Sequence, residues 1–169
     1  AGTGKTVTIT PSYTGADVSN YSVTDHSTIT ADVAVKALTA TASAANKVYD
    51  GTTTATTTLT FTGLVGSETL GQTVGSTFNN KNVGTGKAVT VNSITLTDGT
   101  GLATNYSISP GQTTTANITA KALTVSGITA SNKTYDGNNA ATLDTMSLVY
   151  NGIVAGDDFT GTYSGVFAD

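Results

Sequence analysis

The sequence predicts an all-β fold, and three observations carry that prediction. Of the 169 residues, 38 are Thr and 19 are Gly, which suits pleated strands joined by turns and suits long helices badly. Short runs such as Thr6-Val7-Thr8-Ile9-Thr10 alternate apolar with polar side chains, the period-two pattern of a strand with one face covered. Whole blocks of sequence then return after 85 or 86 residues, a period that fits one small β domain and is far too long for a single solenoid coil.

The rest of the composition narrows the function. Charged residues make up 11% of the chain, Arg is absent and the formal net charge is −4, so there is little to release counterions from a phosphate backbone and no nucleic-acid partner is expected. Low charge together with 37% hydrophobic residues argues against disorder. Without Cys there is neither a disulfide framework nor a thiolate metal site. No apolar run is long enough to span a bilayer and no charged-then-apolar leader opens the chain. Membrane insertion by this segment is therefore not expected, and any export signal is expected to lie outside it.

The repeat organises the chain. Asn20-Tyr21-Ser22-Val23 returns as Asn105-Tyr106-Ser107-Ile108, and Thr30-Ala31-Asp32-Val33 as Thr115-Ala116-Asn117-Ile118. Lys36-Ala37-Leu38-Thr39 returns as Lys121-Ala122-Leu123-Thr124, and Asn46-Lys47-Val48-Tyr49-Asp50-Gly51 as Asn132-Lys133-Thr134-Tyr135-Asp136-Gly137. The Gly-Thr-Gly-Lys block shifts by 82 and Phe78 matches Phe167 at 89, so loop lengths differ while the blocks persist. The order predicts the C-terminal half of one repeat in 1–35, a complete repeat in 36–120 and the N-terminal half of another in 121–169. A segment of a longer tandem array is the expected source of such an order.

Within 36–120, strands are expected near 37–41, 54–61, 73–78, 87–91, 94–97, 104–108 and 113–119. About seven short antiparallel strands in fewer than ~90 residues predict a two-sheet, immunoglobulin-like β-sandwich. Alternation selects Leu38, Leu59, Phe61, Phe78, Val89, Val91, Ile94, Leu96, Tyr106, Ile108 and Ile118 as the inward set, leaving Thr on the wet faces. Tyr21 and Tyr106 each enter a late strand after a turn, which makes them candidates for a tyrosine corner, the hydroxyl bonding back to upstream backbone. Asp50-Gly51 and Asp136-Gly137 read as structural turns, Gly taking positive φ and Asp bonding neighbouring amides. The junction Ile118-Thr119-Ala120-Lys121-Ala122-Leu123-Thr124-Val125 contains no Gly, Pro or Ser, so successive repeats are expected to join with almost no linker.

Lys-Ala-Leu-Thr, Asn-Lys-x-Tyr-Asp-Gly, Phe-x-x-Lys-Asn-Val-Gly-Thr-Gly-Lys and Asn-Tyr-Ser-Ile, in this order and spacing, resemble the YDG-type repeat of large bacterial surface adhesins such as filamentous-haemagglutinin-like proteins. The resemblance covers essentially the whole chain. It implies an extracellular location at the bacterial cell surface and does not imply an activity, because the repeat type is not tied to a known catalytic role.

Other motifs carry little chemistry. Gly2-Thr3-Gly4-Lys5-Thr6 ends like a phosphate-binding loop, but a strand pattern follows where that motif needs a helix, and the second copy has Lys81 and Ala88 at the first-glycine and Ser/Thr positions. Asp25-His26-Ser27 are neighbours in sequence and so point apart, unlike a catalytic triad, and the second copy has Pro110-Gly111-Gln112 there. Calcium has only Asp157-Asp158 as an adjacent pair, or a convergence of Asp50, Asp98 and Asp136. Lys36, Lys121, Asn82 and Asn105 are nominal candidates for an internal isopeptide bond. Asn20, Asn105, Asn117 and Asn132 open Asn-x-Ser/Thr triplets, of which the Asn20 and Asn105 position recurs and is the candidate for glycosylation. Thr runs such as 52–58 lack the flat, regular spacing of an ice-binding face. No catalytic residue, cofactor or metal ligand is expected, and the chain is not expected to be an enzyme. The expected function is a structural stalk or spacer repeat of a cell-surface adhesin, extending a distal binding region, with neighbouring repeats as partners. The alternative is a repeat that itself binds a host glycan, through outward Tyr13, Tyr150 and Tyr163, or that associates with other copies of the array.

Overall fold

The computed structural model describes residues 1–168; Asp169, the last residue of the third expected segment, lies outside them. Strand accounts for 46% of the chain and helix for 4%, so the protein is all-β. The leading segment contributes β1 (Gly2–Thr8) and β2 (Thr28–Val33). Next come β3 (Lys36–Ala37), β4 (Thr39–Ala44), β5 (Lys47–Val48), β6 (Thr54–Ala55), β7 (Thr57–Thr62), β8 (Leu70–Phe78), β9 (Gly84–Asp98), β10 (Tyr106–Ser107) and β11 (Thr113–Thr119). The trailing segment holds β12 (Thr124–Ser126), β13 (Thr129–Ala130), β14 (Ala140–Ala141), β15 (Leu143–Asp144), β16 (Val149–Asn151) and β17 (Gly165–Val166).

These strands gather into two compact units that cut across the sequence repeats. One takes 1–43, 57–75 and 91–112, the other 44–56, 76–90 and the residues from 113 onward. In the first unit β1 pairs antiparallel with β2, β3 runs parallel to β10, and β4 lies beside β7 in a two-stranded sheet. Its buried hydrophobic residues are Leu38, Leu59, Val91 and Tyr106, and Leu59 stands between exposed Thr58 and Thr60, as a one-sided sheet requires.

The second unit holds β5, β6, β11 and the adjoining ends of β8 and β9, within a sheet ordered β5-β11-β9-β8-β6. Ala55, Phe78, Val89, Ala116 and Ile118 form its core, with Ala44 and Tyr49 packed against it. The trailing segment adds three two-stranded ladders, β12 with β16, β13 with β15 and β14 with β17. The repeat extends to single hydrogen bonds. Ala45 N donates to Thr56 O and Ser131 N to Thr142 O, while Phe78 N donates to Thr53 O and Phe167 N to Asn139 O.

Three expectations need correction. The strands expected at 87–91 and 94–97 are one strand, β9, because Asn92-Ser93 offers neither Gly nor Pro to break it. Not every ladder is antiparallel: β3 with β10 and β5 with β11 are parallel, since each pairs segments distant in sequence that no hairpin constrains. Of the expected inward set, Phe61, Ile94, Leu96 and Ile108 are only half-buried. The last three line an open groove beside Tyr106.

Candidate functional site

The Gly-Thr-Gly-Lys blocks are β-bulges. Gly4 and Gly86 share φ +59°, a left-handed conformation that suits glycine, and the ladder slips in register there in both copies. One glycine amide that a phosphate would need is already used in each copy. Gly4 N donates to Asp32 Oδ1 at 2.7 Å and Gly86 N to Asn117 Oδ1 at 2.8 Å. The recurring Asp32/Asn117 position therefore closes the bulge, and strand, not helix, follows the lysine.

The Asn-Lys-x-Tyr-Asp-Gly blocks are clamped turns. Gly51 and Gly137 both sit at φ +79°. Asp50 Oδ1 accepts from Thr52 N and Thr52 Oγ1, both at 2.9 Å, and from Lys47 Nζ at 2.7 Å. The same ammonium donates to the Thr52 and Thr54 carbonyls and lies 5.5 Å from the centre of the Phe78 ring, a cation-π distance. The second copy repeats this in detail: Lys133 bridges Asp136 and the Asn138 and Ala140 carbonyls, 5.9 Å from the Phe167 ring centre. The lysine's role is legible only in retrospect, as a Lys-x-x-Asp spacing that recurs beside a recurring Phe.

The clamp makes a titration prediction. Lys47 beside it, helped by the Thr52 amide and hydroxyl, holds the Asp50 carboxyl down at about 2 from an ordinary 3.8. A depressed carboxylate pKa contributes stability that is complete above the unfolded value, so this turn's share is kept above pH 3.8 and lost as pH falls towards about 2. Carbon-detected NMR should find the Asp50 midpoint near 2, and Lys47→Met should raise it. A midpoint indifferent to that substitution removes Lys47 as the cause.

Within the second unit, the complete repeat meets the trailing one at Tyr49. Its hydroxyl donates to Asp157 Oδ1 at 2.9 Å, and Lys81 Nζ reaches the same oxygen at 3.3 Å. Asp157 is drawn below its ordinary pKa, first by the Tyr49 hydroxyl and also by Lys81, with partial burial opposing. A Cβ placed on Gly51 would lie 2.8 Å from Val154 Cγ1, so the turn's missing side chain is where the neighbouring repeat packs. Around this contact runs a crevice of about 390 Å³ lined by Tyr49, Val83, Leu123, Ile153 and Phe159 among others.

A family model described as YDG domain matches residues 34–116 and again 119–169. The chain belongs to the YDG domain family. No curated protein and no solved structure matches it. The attribution to filamentous-haemagglutinin-like adhesins is corrected by this match, which gives the YDG domain alone, a name known from SRA/UHRF-type DNA-binding proteins and not evidently from bacterial adhesin repeats.

Around the YDG turns, the other sequence candidates fall into place one by one. Tyr106 is buried, accepts from Val65 N at 3.2 Å and donates to the Glu68 carboxylate. Tyr21 is 74% exposed, so the corner reading does not extend to it: the leading segment has no buried residue to pack its ring. Asn20 and Asn105 each end a one-turn 3-10 helix, Val18–Asn20 and Ala103–Asn105, the first exposed and the second half-buried. Asn117 is committed to the bulge and Asn132 is exposed.

His26 is exposed, and Asp25 accepts from the Tyr13 hydroxyl instead of from the histidine. Asp50, Asp98 and Asp136 do not converge. Asp98 caps Ala103 N, and no group of three or more metal-type ligands occurs among the described residues. Lys36 and Lys121 are exposed and Asn82 is exposed at a turn, without the buried setting an isopeptide bond needs. Tyr150 and Tyr163 are not an outward platform. Their hydroxyls bond each other at 2.9 Å over Gly161, and Tyr150 packs edge-on to Phe159 at 5.2 Å. No helix among the described residues is long and apolar enough to cross a membrane.

Proposed function

We propose that this chain is a non-catalytic structural spacer made of tandem YDG repeats, each an immunoglobulin-like sandwich unit locked to the next through its own Tyr-Asp-Gly turn. The observation that carries the reading is the Tyr49 hydroxyl on Asp157, shared with Lys81, at a junction without Gly or Pro. Half-buried, charge-assisted contacts of this kind hold an orientation better than they add stability. Alternating buried positions along β7, β9 and β11 support the sandwich.

A DNA-contacting role gains nothing from this chain's charge. Seven Lys face eleven acidic residues, with no Arg, and Lys47, Lys81 and Lys133 are each already paired with a carboxylate.

Small-angle scattering on arrays of two, four and six repeats tests the spacer. The maximum dimension should grow in proportion to repeat number, and Tyr49→Ala with its equivalents should shorten it. Compact or freely jointed particles would defeat the proposal.

A further inference from the structure

We infer that Asn151-Gly152 is a site of spontaneous deamidation, and that its isoaspartyl product releases the Tyr49 joint. It is the one Asn-Gly step in the sequence; every other Asn precedes a residue with a side chain. Cyclisation needs the next backbone nitrogen to reach Asn Cγ, and glycine puts no Cβ in the way. Asn151 is the last residue of β16, and its Nδ2 lies 3.5 Å from Ser126 Oγ, the outer limit of a hydrogen bond. The leaving amide is therefore barely held. Both residues of the step are exposed, and that exposure belongs to the position in the repeat. The turn at 152–157 aligns with the turn at 63–68: Gly152 and Gly63 hold φ +108° and +105°, and Asp157 N donates to Val154 O at 3.0 Å as Glu68 N does to Val65 O at 3.1 Å. Thr62 and Gly63 are exposed inside a repeat that carries its second half, and Asn151 and Gly152 are exposed with the preceding repeat seated at Tyr49. Neither neighbour covers the step.

The Asp-Gly steps lack this chemistry. Asp50 and Asp136 are carboxylates held by Lys47 and Lys133, and an ionised carboxylate offers an attacking amide no leaving group. At Asp98-Gly99 the glycine amide already donates to Gly101 O at 3.0 Å. At Asn151, Gly152 N attacks Cγ and the side-chain nitrogen leaves as ammonia, closing a succinimide. Water then opens the ring at either carbonyl. Opening at Cγ gives Asp; opening at the main-chain carbonyl gives isoaspartate, whose backbone runs through Cβ and is one carbon longer. The sum consumes one water and releases one ammonia, with no oxidant. A Cβ on Gly152 would lie 2.5 Å from the Ala122 carbonyl oxygen, so the chain passes here without room for an added atom. The residues that follow must move, and those are Val154 against Gly51 and Asp157 on Tyr49. Thr62 cannot cyclise, so the turn at 63–68 has no such site.

The modification stands on Asn151 alone, whereas its consequence rests on the Tyr49 joint, and the test separates the two. The full chain is aged in mildly alkaline buffer, which deprotonates the attacking amide, beside Asn151→Thr, the residue that the matching turn carries at Thr62. The native chain should gain about 1 Da and release ammonia, with peptide mapping and an isoaspartate-specific methyltransferase placing the product at 151. Asn151→Thr should keep its mass over the same period. If exposed Asn138 or Asn139 converts as fast as Asn151, the site is overturned. The joint is read by NMR of the Asp157 carboxyl, which should titrate below 3.8 in the unaged chain. An ordinary value there defeats the joint, and the release with it, and leaves the modification standing. After ageing, the Asp157 midpoint should rise towards 3.8. Asn151→Asp carries the new charge without the extra backbone carbon and should keep the midpoint depressed. A midpoint unmoved by ageing, or moved equally by Asn151→Asp, overturns release by the isoaspartyl chain.

Discussion

Phe78→Ala should destabilise the second unit by about 3–5 kcal/mol, the range for deleting a buried aromatic ring, while the matching Phe167→Ala should stay within about 1 kcal/mol. Both phenylalanines close the same repeat motif, and both lie under a lysine of the same clamp. They differ in burial. Phe78 is 3% exposed among Ala55, Val89, Ala116 and Ile118, and Phe167 is 41% exposed. Removing the first leaves a cavity lined by β-sheet side chains that cannot collapse onto it. Removing the second uncovers little that water does not already reach. A smaller part of the Phe78 loss is the cation-π contact, about 0.5–1 kcal/mol, and a double-mutant cycle with Lys47→Met isolates it. Urea denaturation of the four proteins is the measurement. Equal losses at Phe78 and Phe167 would show that the motif, and not the packing around it, sets the cost.

That contrast explains what could be read from the sequence. Strand periodicity and block recurrence found the all-β class, and seven of the expected inward residues are buried, because alternation is a local property of a half-covered strand. What escaped was set by distant partners. The continuity of β9 through Asn92-Ser93 depends on the strands beside it, and the parallel β3 and β5 ladders depend on segments far along the chain. The joint escaped for the same reason. Asp157 lies 108 residues from Tyr49, and an Asp157-Asp158 pair read alone suggests a cation. Only the alignment of Asp157 with Glu68 marks it as a repeating acid on a repeating turn. The bulges show the reverse case: Gly-Thr-Gly-Lys invites a phosphate when read alone, and becomes a strand irregularity once Asp32 and Asn117 are seen to bond the glycine amides.

Gly51→Ala should cost more than Gly137→Ala, and the difference measures the joint. Both glycines hold φ +79°, so both alanines carry the left-handed strain of about 1–2 kcal/mol. There the resemblance ends. The Gly51 methyl would meet Val154 Cγ1 at 2.8 Å, closer than a carbon pair tolerates, so either Val154 leaves its rotamer or the turn at 152–157 lifts. Overpacking of this kind adds about 1–3 kcal/mol. Lifting the turn also draws Asp157 away from Tyr49 and Lys81, so the Asp157 pKa should rise towards its ordinary 3.8 in Gly51→Ala and stay depressed in Gly137→Ala. The Gly137 methyl meets open space, and its penalty should be the strain alone. Paired urea titrations, with the Asp157 carboxyl followed by NMR, read both quantities on the same samples. If the two alanines cost the same and Asp157 does not move, Val154 is not seated in the Tyr-Asp-Gly turn, and the repeats are not joined there.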